Sequence, residues 1–207
     1  MWHNFRVHEN GGGLVAHTAT VSDSAYIGMC AFVKDSAQVY DSARVEDFAQ
    51  ISGNAVVRDS AVIKGDARIY ENALVGGSAT VSMSAKVYGS AKVTGNSSIT
   101  DGVEIYGQAI IFDHAIVYEL GYAKVAVYGN AKVYGHARVC SRVWGNAEVS
   151  CNAKVFGHAE IYGSAVVTDN AQVFDNAIIC GDCQVRDYYT VSGNIRISHG
   201  IFERSYD

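Results

Sequence analysis

Three histidines are the residues of this chain best suited to acid–base chemistry: His114, His136 and His158. Imidazole titrates near neutrality, so it can take a proton from an acceptor hydroxyl or amine. A basic, aromatic segment surrounds them. Between Gly121 and Glu160 the bases Lys124, Lys132, Arg138, Arg142 and Lys154 are opposed only by Glu148 and Glu160. The same segment carries Tyr122, Tyr128, Tyr134, Trp144, Phe156 and Tyr162. Guanidinium and ammonium groups hold phosphate through charge-assisted bonds, and an aromatic face stacks on a planar ring. Tyr128, Lys132, Tyr134, His136, Arg138, Arg142, Trp144, Lys154 and Phe156 therefore form the expected surface for a small anionic, nucleotide-like ligand. A plainer reading stands beside it. Tyr and Lys are good outward residues on a strand face, and Tyr70, Tyr88 and Tyr106, spaced 18 apart, would stack in a ladder with no site implied.

Other chemistry finds little support. Cys180-x-x-Cys183 has no second pair and no helical pattern after it, so no metal site is expected. Five cysteines at irregular spacing fit reduced thiols in a cytoplasm. The opening MWHNFRVHENGGG lacks the apolar core of a secretory signal. No apolar run approaches the roughly 20 residues of a membrane helix, so no membrane partner is expected. A net charge of −5 argues against a nucleic-acid partner.

The elements that position these residues follow from a repeat of six. From Val15 every sixth residue is Val or Ile through Val117, in 18 hexads. The register slips around 118–126, restarts at Val127, Val133 and Val139, slips by two near 139–143, and runs from Val143 to Ile197 in ten more. Four positions after each Val or Ile sits a small residue, usually Ala. Between them lie turn residues such as Gly53-Asn54, Asp59-Ser60 and Asp169-Asn170, which tolerate positive φ or bond the local backbone. Each hexad thus reads as a short strand and a tight corner. Alternation puts the Val or Ile inside and its two neighbours outside. A helix of 3.6 residues per turn cannot hold a strict period of six on one face.

This pattern resembles the hexapeptide-repeat proteins, over roughly residues 15 to 202. The resemblance implies an all-β fold: a single-stranded left-handed parallel β-helix of triangular section, with three hexads per coil. About ten coils at roughly 4.8 Å make a column about 48 Å long. Residues 1–14, with Trp2, Phe5 and Val7, are the expected N-terminal cap. The end from Ile195, with Ile201, Phe202 and Tyr206, is the expected C-terminal cap, and 203–207 a tail.

The family is mostly trimeric, so a homotrimer is expected. The outward apolar residues Val56, Leu74, Ile110 and Phe112 on one face, with Val62 and Ile116 across the next corner, would form its interface. Its best-known members are acyltransferases that bind acyl-CoA along the coils and use a histidine base. Here the largest insertion is four residues, there is no proline, and the repeat runs almost to the last residue of the sequence. The chain looks more like repeat-only bacterial and phage members. The expected function is therefore a non-catalytic trimer that binds or sequesters a small anionic ligand, or acts as a scaffold, without cofactor. The alternative is an O- or N-acyltransferase using acetyl-CoA or another acyl-CoA, with His114, His136 or His158 as base.

Overall fold

A computed structural model describes residues 4–121 and 124–204. Trp2, Tyr122 and Tyr206, named above, lie outside the described residues. The chain is an all-β solenoid of about ten turns, built on three sheets of 12, 11 and 10 strands. Face one runs from Phe5–Val7 and Leu14–Ala16 to Arg196–Ile197. Face two runs from Thr20–Val21 to Ile201–Phe202, and face three from Tyr26–Ile27 to Thr190–Val191. The chain visits them in that order in every turn.

Each Val or Ile of the hexad series lies in its own short strand. Val33, Ile51, Val57, Ile63, Val133 and Ile161 are wholly buried, as are Ala37, Ala55 and Ala137 at the corners. The outward neighbours stack in register: Gln50 pairs with Arg68, and Arg68 with Lys86. Burying each Val or Ile contributes roughly 1.5–3 kcal/mol before chain entropy is subtracted. Alanine suits the corners because a larger side chain would overpack so narrow an interior.

From Val33 to Val191 the second residue after the inward Val or Ile takes a left-handed conformation, except at Glu119 and Ser141 beside the two slips. Glycine supplies it at Gly95 (φ 69°), where a Cβ would come within 2.6 Å of the Asp113 backbone on the next coil. Elsewhere Asp takes the same strained geometry, as at Asp35 (φ 60°) and Asp59 (φ 62°). The reason is not the local bond expected from the sequence. The Asp59 carboxylate accepts the Gly77 N–H one coil on, at 2.7 Å, and Asp35 accepts that of Gly53 at 3.0 Å. Those corner amides would otherwise face water alone, so the corner carboxylate ties coil to coil.

Both register slips fall at the corner from face three to face one, on consecutive turns. The long link joins Ile116–Val117 to Ala126–Val127, and the short one joins Arg138–Val139 to Arg142–Val143. The short unit still occupies a full side, because Arg138–Val139 pairs with Ile116–Val117 below and Lys154–Val155 above. The short link is buried at Cys140 and Ser141. Burial pushes the Cys140 thiol up, helped by Glu119 and Asp101, against a hydrogen bond with the Leu120 backbone. The inserted segment thus lies against the deleted one.

At the N-terminal end Phe5–Val7 pairs antiparallel with Leu14–Ala16, covering an edge that would otherwise recruit another strand. At the other end Ile201–Phe202 adds to Gln184–Val185. No helix among the described residues is long and apolar enough to cross a membrane.

Candidate functional site: a basic groove on face three

The structure distributes the expected ligand residues over all three faces rather than one groove. Arg142 lies on face one, with Tyr128 and Trp144 at its exit corner. Lys132 and Tyr134 lie on face two, and Arg138, Lys154 and Phe156 on face three. The reason is the repeat itself: residues six apart belong to different faces, and only those one coil apart share a column.

The carboxylates of the segment neutralise most of its bases. The Lys132 ammonium donates to Glu148 at 2.7 Å, and the Tyr134 hydroxyl donates to the same carboxylate at 3.3 Å. Glu148 accordingly pushes the Lys132 ammonium up, by hydrogen bond first and charge second. Arg142 pairs with Glu160. Lys124 and Lys86 both meet Glu104, at 3.3 and 3.2 Å. Burial alone would raise the Glu104 carboxyl, but those two ammonium groups outweigh it and hold it below the ordinary carboxylate range.

Arg138 and Lys154 remain, and neither is in an ion pair among the described residues. They are register partners on neighbouring strands of face three. They therefore stand in one column, about 4.8 Å apart along it. With Ile116, Asn152, His114 and His136 they line a groove of about 500 Å³ that no carboxylate side chain enters. His114 and His136 stack at the corner from face two to face three, ring centroids 4.8 Å apart and planes within 5°. His158 sits at a different corner, between faces three and one, and takes no part. Both grooved histidines and both cations are exposed. This arrangement can grip an anion between two fixed positive charges, with imidazole N–H groups and the Asn152 amide as further donors.

The aromatic residues do something else. Tyr70, Tyr88, Tyr106, Tyr128, Trp144 and Tyr162 form one continuous ladder at the corner from face one to face two. Successive centroids are 4.5 to 5.6 Å apart and the planes agree within 11°. The first three rungs, 18 residues apart, are legible in the sequence. The rest were hidden by the slips, which space the rungs by 22 and then 16 residues. Tyr128 is stacked between Tyr106 and Trp144, and Trp144 between Tyr128 and Tyr162, so neither has a free face for a ligand. Phe112 stacks likewise on Tyr134, and Phe156 on Phe174.

The expected interface residues lie where the repeat put them, but not as one strip. Val56 and Leu74 are register partners on face two, then Lys92 separates them from Ile110. On face three Thr80 and Ser98 separate Val62 from Ile116. All six apolar residues are half-buried. Cys180 and Cys183 are buried, and burial first, Cys180 second, pushes the Cys183 thiol up to about 11. No group of three or more His, Cys, Asp or Glu among the described residues could hold a metal ion.

Against known families, a model described as the YdcK beta solenoid repeat matches residues 49–65. That stretch holds the strands Gln50–Ile51, Val56–Val57 and Val62–Ile63, one on each face. The chain is similar there to a β-solenoid repeat, in agreement with its fold. Comparison with curated proteins and with solved structures gave no match.

Proposed function

We propose that this solenoid is a non-catalytic binding protein for a small phosphate-bearing anion, held in the groove of face three. One observation carries the reading: Arg138 and Lys154 stand one above the other with no carboxylate partner among the described residues, while the carboxylates around them are spent on Lys132, Arg142 and Lys124. Placing two like charges at strand spacing costs stability unless an anion bridges them. The same reading makes the protein a repeat-only member of the hexapeptide-repeat class that works as a homotrimer in a cytoplasm. The half-buried pair Val56 and Leu74 on face two would start its interface.

The second reading, an acyl-CoA-dependent acyltransferase, is favoured by the stacked His114 and His136 beside the same cations. In that reading the cations hold the phosphates of the acyl donor and one imidazole deprotonates the acceptor. Calorimetry with inorganic phosphate and with acetyl-CoA tests both. We expect wild type to bind phosphate, and Arg138→Ala with Lys154→Ala together to weaken it at least tenfold. Thiol release from acetyl-CoA in the presence of an amine or sugar, abolished by His114→Ala or His136→Ala, would replace the binder with the enzyme. Absence of any phosphate or acetyl-CoA binding would leave a plain scaffold.

A further inference from the structure

The aromatic ladder ends differently at its two ends, and one end is open. At the upper end the next residue in the column above Tyr162 is Cys180, which is buried. At the lower end the residue below Tyr70 in the column is Ser52, and below that Lys34. The stacking of outward residues fixes this: Ser52 donates its N–H to Ile69, and Lys34 donates its own to Ile51. The rung at Ser52 therefore has no ring. Tyr70 presents its lower face to a groove of about 260 Å³ lined by Lys34, Gln50, Ser52, Arg68 and Lys86. Lys34 and Tyr70 are two rungs apart, about 9.6 Å at the strand spacing. One planar ring fits midway, at the interval the ladder itself uses.

The groove's chemistry narrows what that ring belongs to. Three of its lining side chains are cations and none is a carboxylate. Lys86 is engaged with Glu104, but Lys34 and Arg68 are in no ion pair among the described residues. Gln50 offers a donor and an acceptor at the ring's edge, which suits a nucleobase and is wasted on a hydrocarbon ring. Stacking on an aromatic face, continued by a cation on the other side, is how bases are held without a deep pocket.

We propose that the ringless rung at Ser52 binds a nucleoside monophosphate, its base stacked between Tyr70 and Lys34 with its edge on Gln50, and its phosphate on Arg68. This site lies on face one, apart from the face-three groove, and does not depend on it. The base acts as a seventh rung supplied by the ligand.

The decisive variant is Ser52→Tyr, which fills the gap with the chain's own ring. Tyrosine already occupies this column in three consecutive coils below the long link, so the fold accepts it. Calorimetry would use the full chain with AMP, adenosine and ribose 5-phosphate. We expect AMP to bind and each fragment to bind at least tenfold more weakly. Ser52→Tyr and Tyr70→Ala should each weaken AMP at least tenfold, with the circular dichroism of Ser52→Tyr unchanged. These titrations are made in the Arg138→Ala, Lys154→Ala background, where the face-three groove no longer holds phosphate, and AMP should still bind there. The proposal is overturned if AMP does not bind at millimolar concentration, or if ribose 5-phosphate binds as well as AMP. It is equally overturned if both ladder variants leave AMP affinity intact. Loss of AMP binding in the Arg138, Lys154 pair alone would move the nucleotide to the face-three groove, refuting this site while supporting that one.

Discussion

Asp59 offers a direct measurement of what holds one coil to the next. Its backbone is left-handed at φ 62°, and its carboxylate accepts the Gly77 N–H at 2.7 Å. Its side chain is 47% accessible, and the Arg58 guanidinium, at 3.8 Å, is too far and too wet to matter. Alanine at this position loses two things. A hydrogen bond to a charged acceptor contributes about 1.5–3 kcal/mol when shielded, and about 1 kcal/mol is reasonable for this exposed one. A left-handed residue with a Cβ but no polar side chain to compensate costs roughly 1 kcal/mol more. Glycine loses the bond but relieves the backbone. Asp59→Ala should therefore cost about 2 kcal/mol and Asp59→Gly about 1 kcal/mol or less. For a chain of this size each kcal/mol moves the melting temperature by roughly 2–4 °C. The alanine variant should melt roughly 4–8 °C below wild type and the glycine variant at most about 4 °C below. Urea unfolding followed by circular dichroism gives the same comparison without heat. A solenoid can unzip from one end, so both variants must be read on the same transition. Equal losses in Ala and Gly would refute the backbone contribution. No loss in either would refute the coil-to-coil bond.

Two further outcomes are expected. Changing Leu74 and Phe112 together to Lys should lower the oligomeric state in analytical ultracentrifugation while leaving circular dichroism intact; a monomeric wild type at micromolar concentration would end the trimer proposal. Glu104 is held below the ordinary carboxylate range, so its contribution to stability is complete above the unfolded carboxyl pKa and is lost as pH falls through the folded one. Glu104→Gln should thus destabilise at pH 7 and match wild type in acid, in urea midpoints measured across that range; a constant difference at all pH values would contradict the pairing with Lys86 and Lys124.

The inward residues were legible because a solenoid writes its geometry into the chain: position in the hexad alone decides whether Val57 is inside and Arg58 outside. The corners of positive φ were legible as residue types, since Gly and Asp fill most of them and Glu71, Met83 and Cys151 the rest. Their bonding was not, because the partner of Asp59 is an amide 18 residues away that comes near only when coils stack. Charge pairing was hidden for the same reason. A tally of bases and acids between Gly121 and Glu160 is correct, yet it gives no sign that Glu148 reaches Lys132 and Glu160 reaches Arg142. That depends on the phase after the slips, which the short unit at Val139 could have settled either way.

The slips themselves then explain why a site arises where it does. In an unbroken solenoid the residue one coil above His114 would be 18 further on, at Lys132. The long link makes that coil 22 residues, so His136 stands there instead and the two rings stack. Likewise the residue above Arg138 would be Phe156. The short link makes that coil 16 residues, so Lys154 stands there and two cations meet. The interior registers no change, because Val117, Val139 and Val155 still stack without a gap. Four residues gained and two lost at one corner thus leave the core untouched and rewrite the outside of two columns. They exchange a histidine–lysine contact for a histidine pair, and an arginine–phenylalanine contact for a cation pair. Each exchange alone would give an ordinary strand face. Together, on neighbouring columns of consecutive coils, they bring His114, His136, Arg138 and Lys154 around one groove.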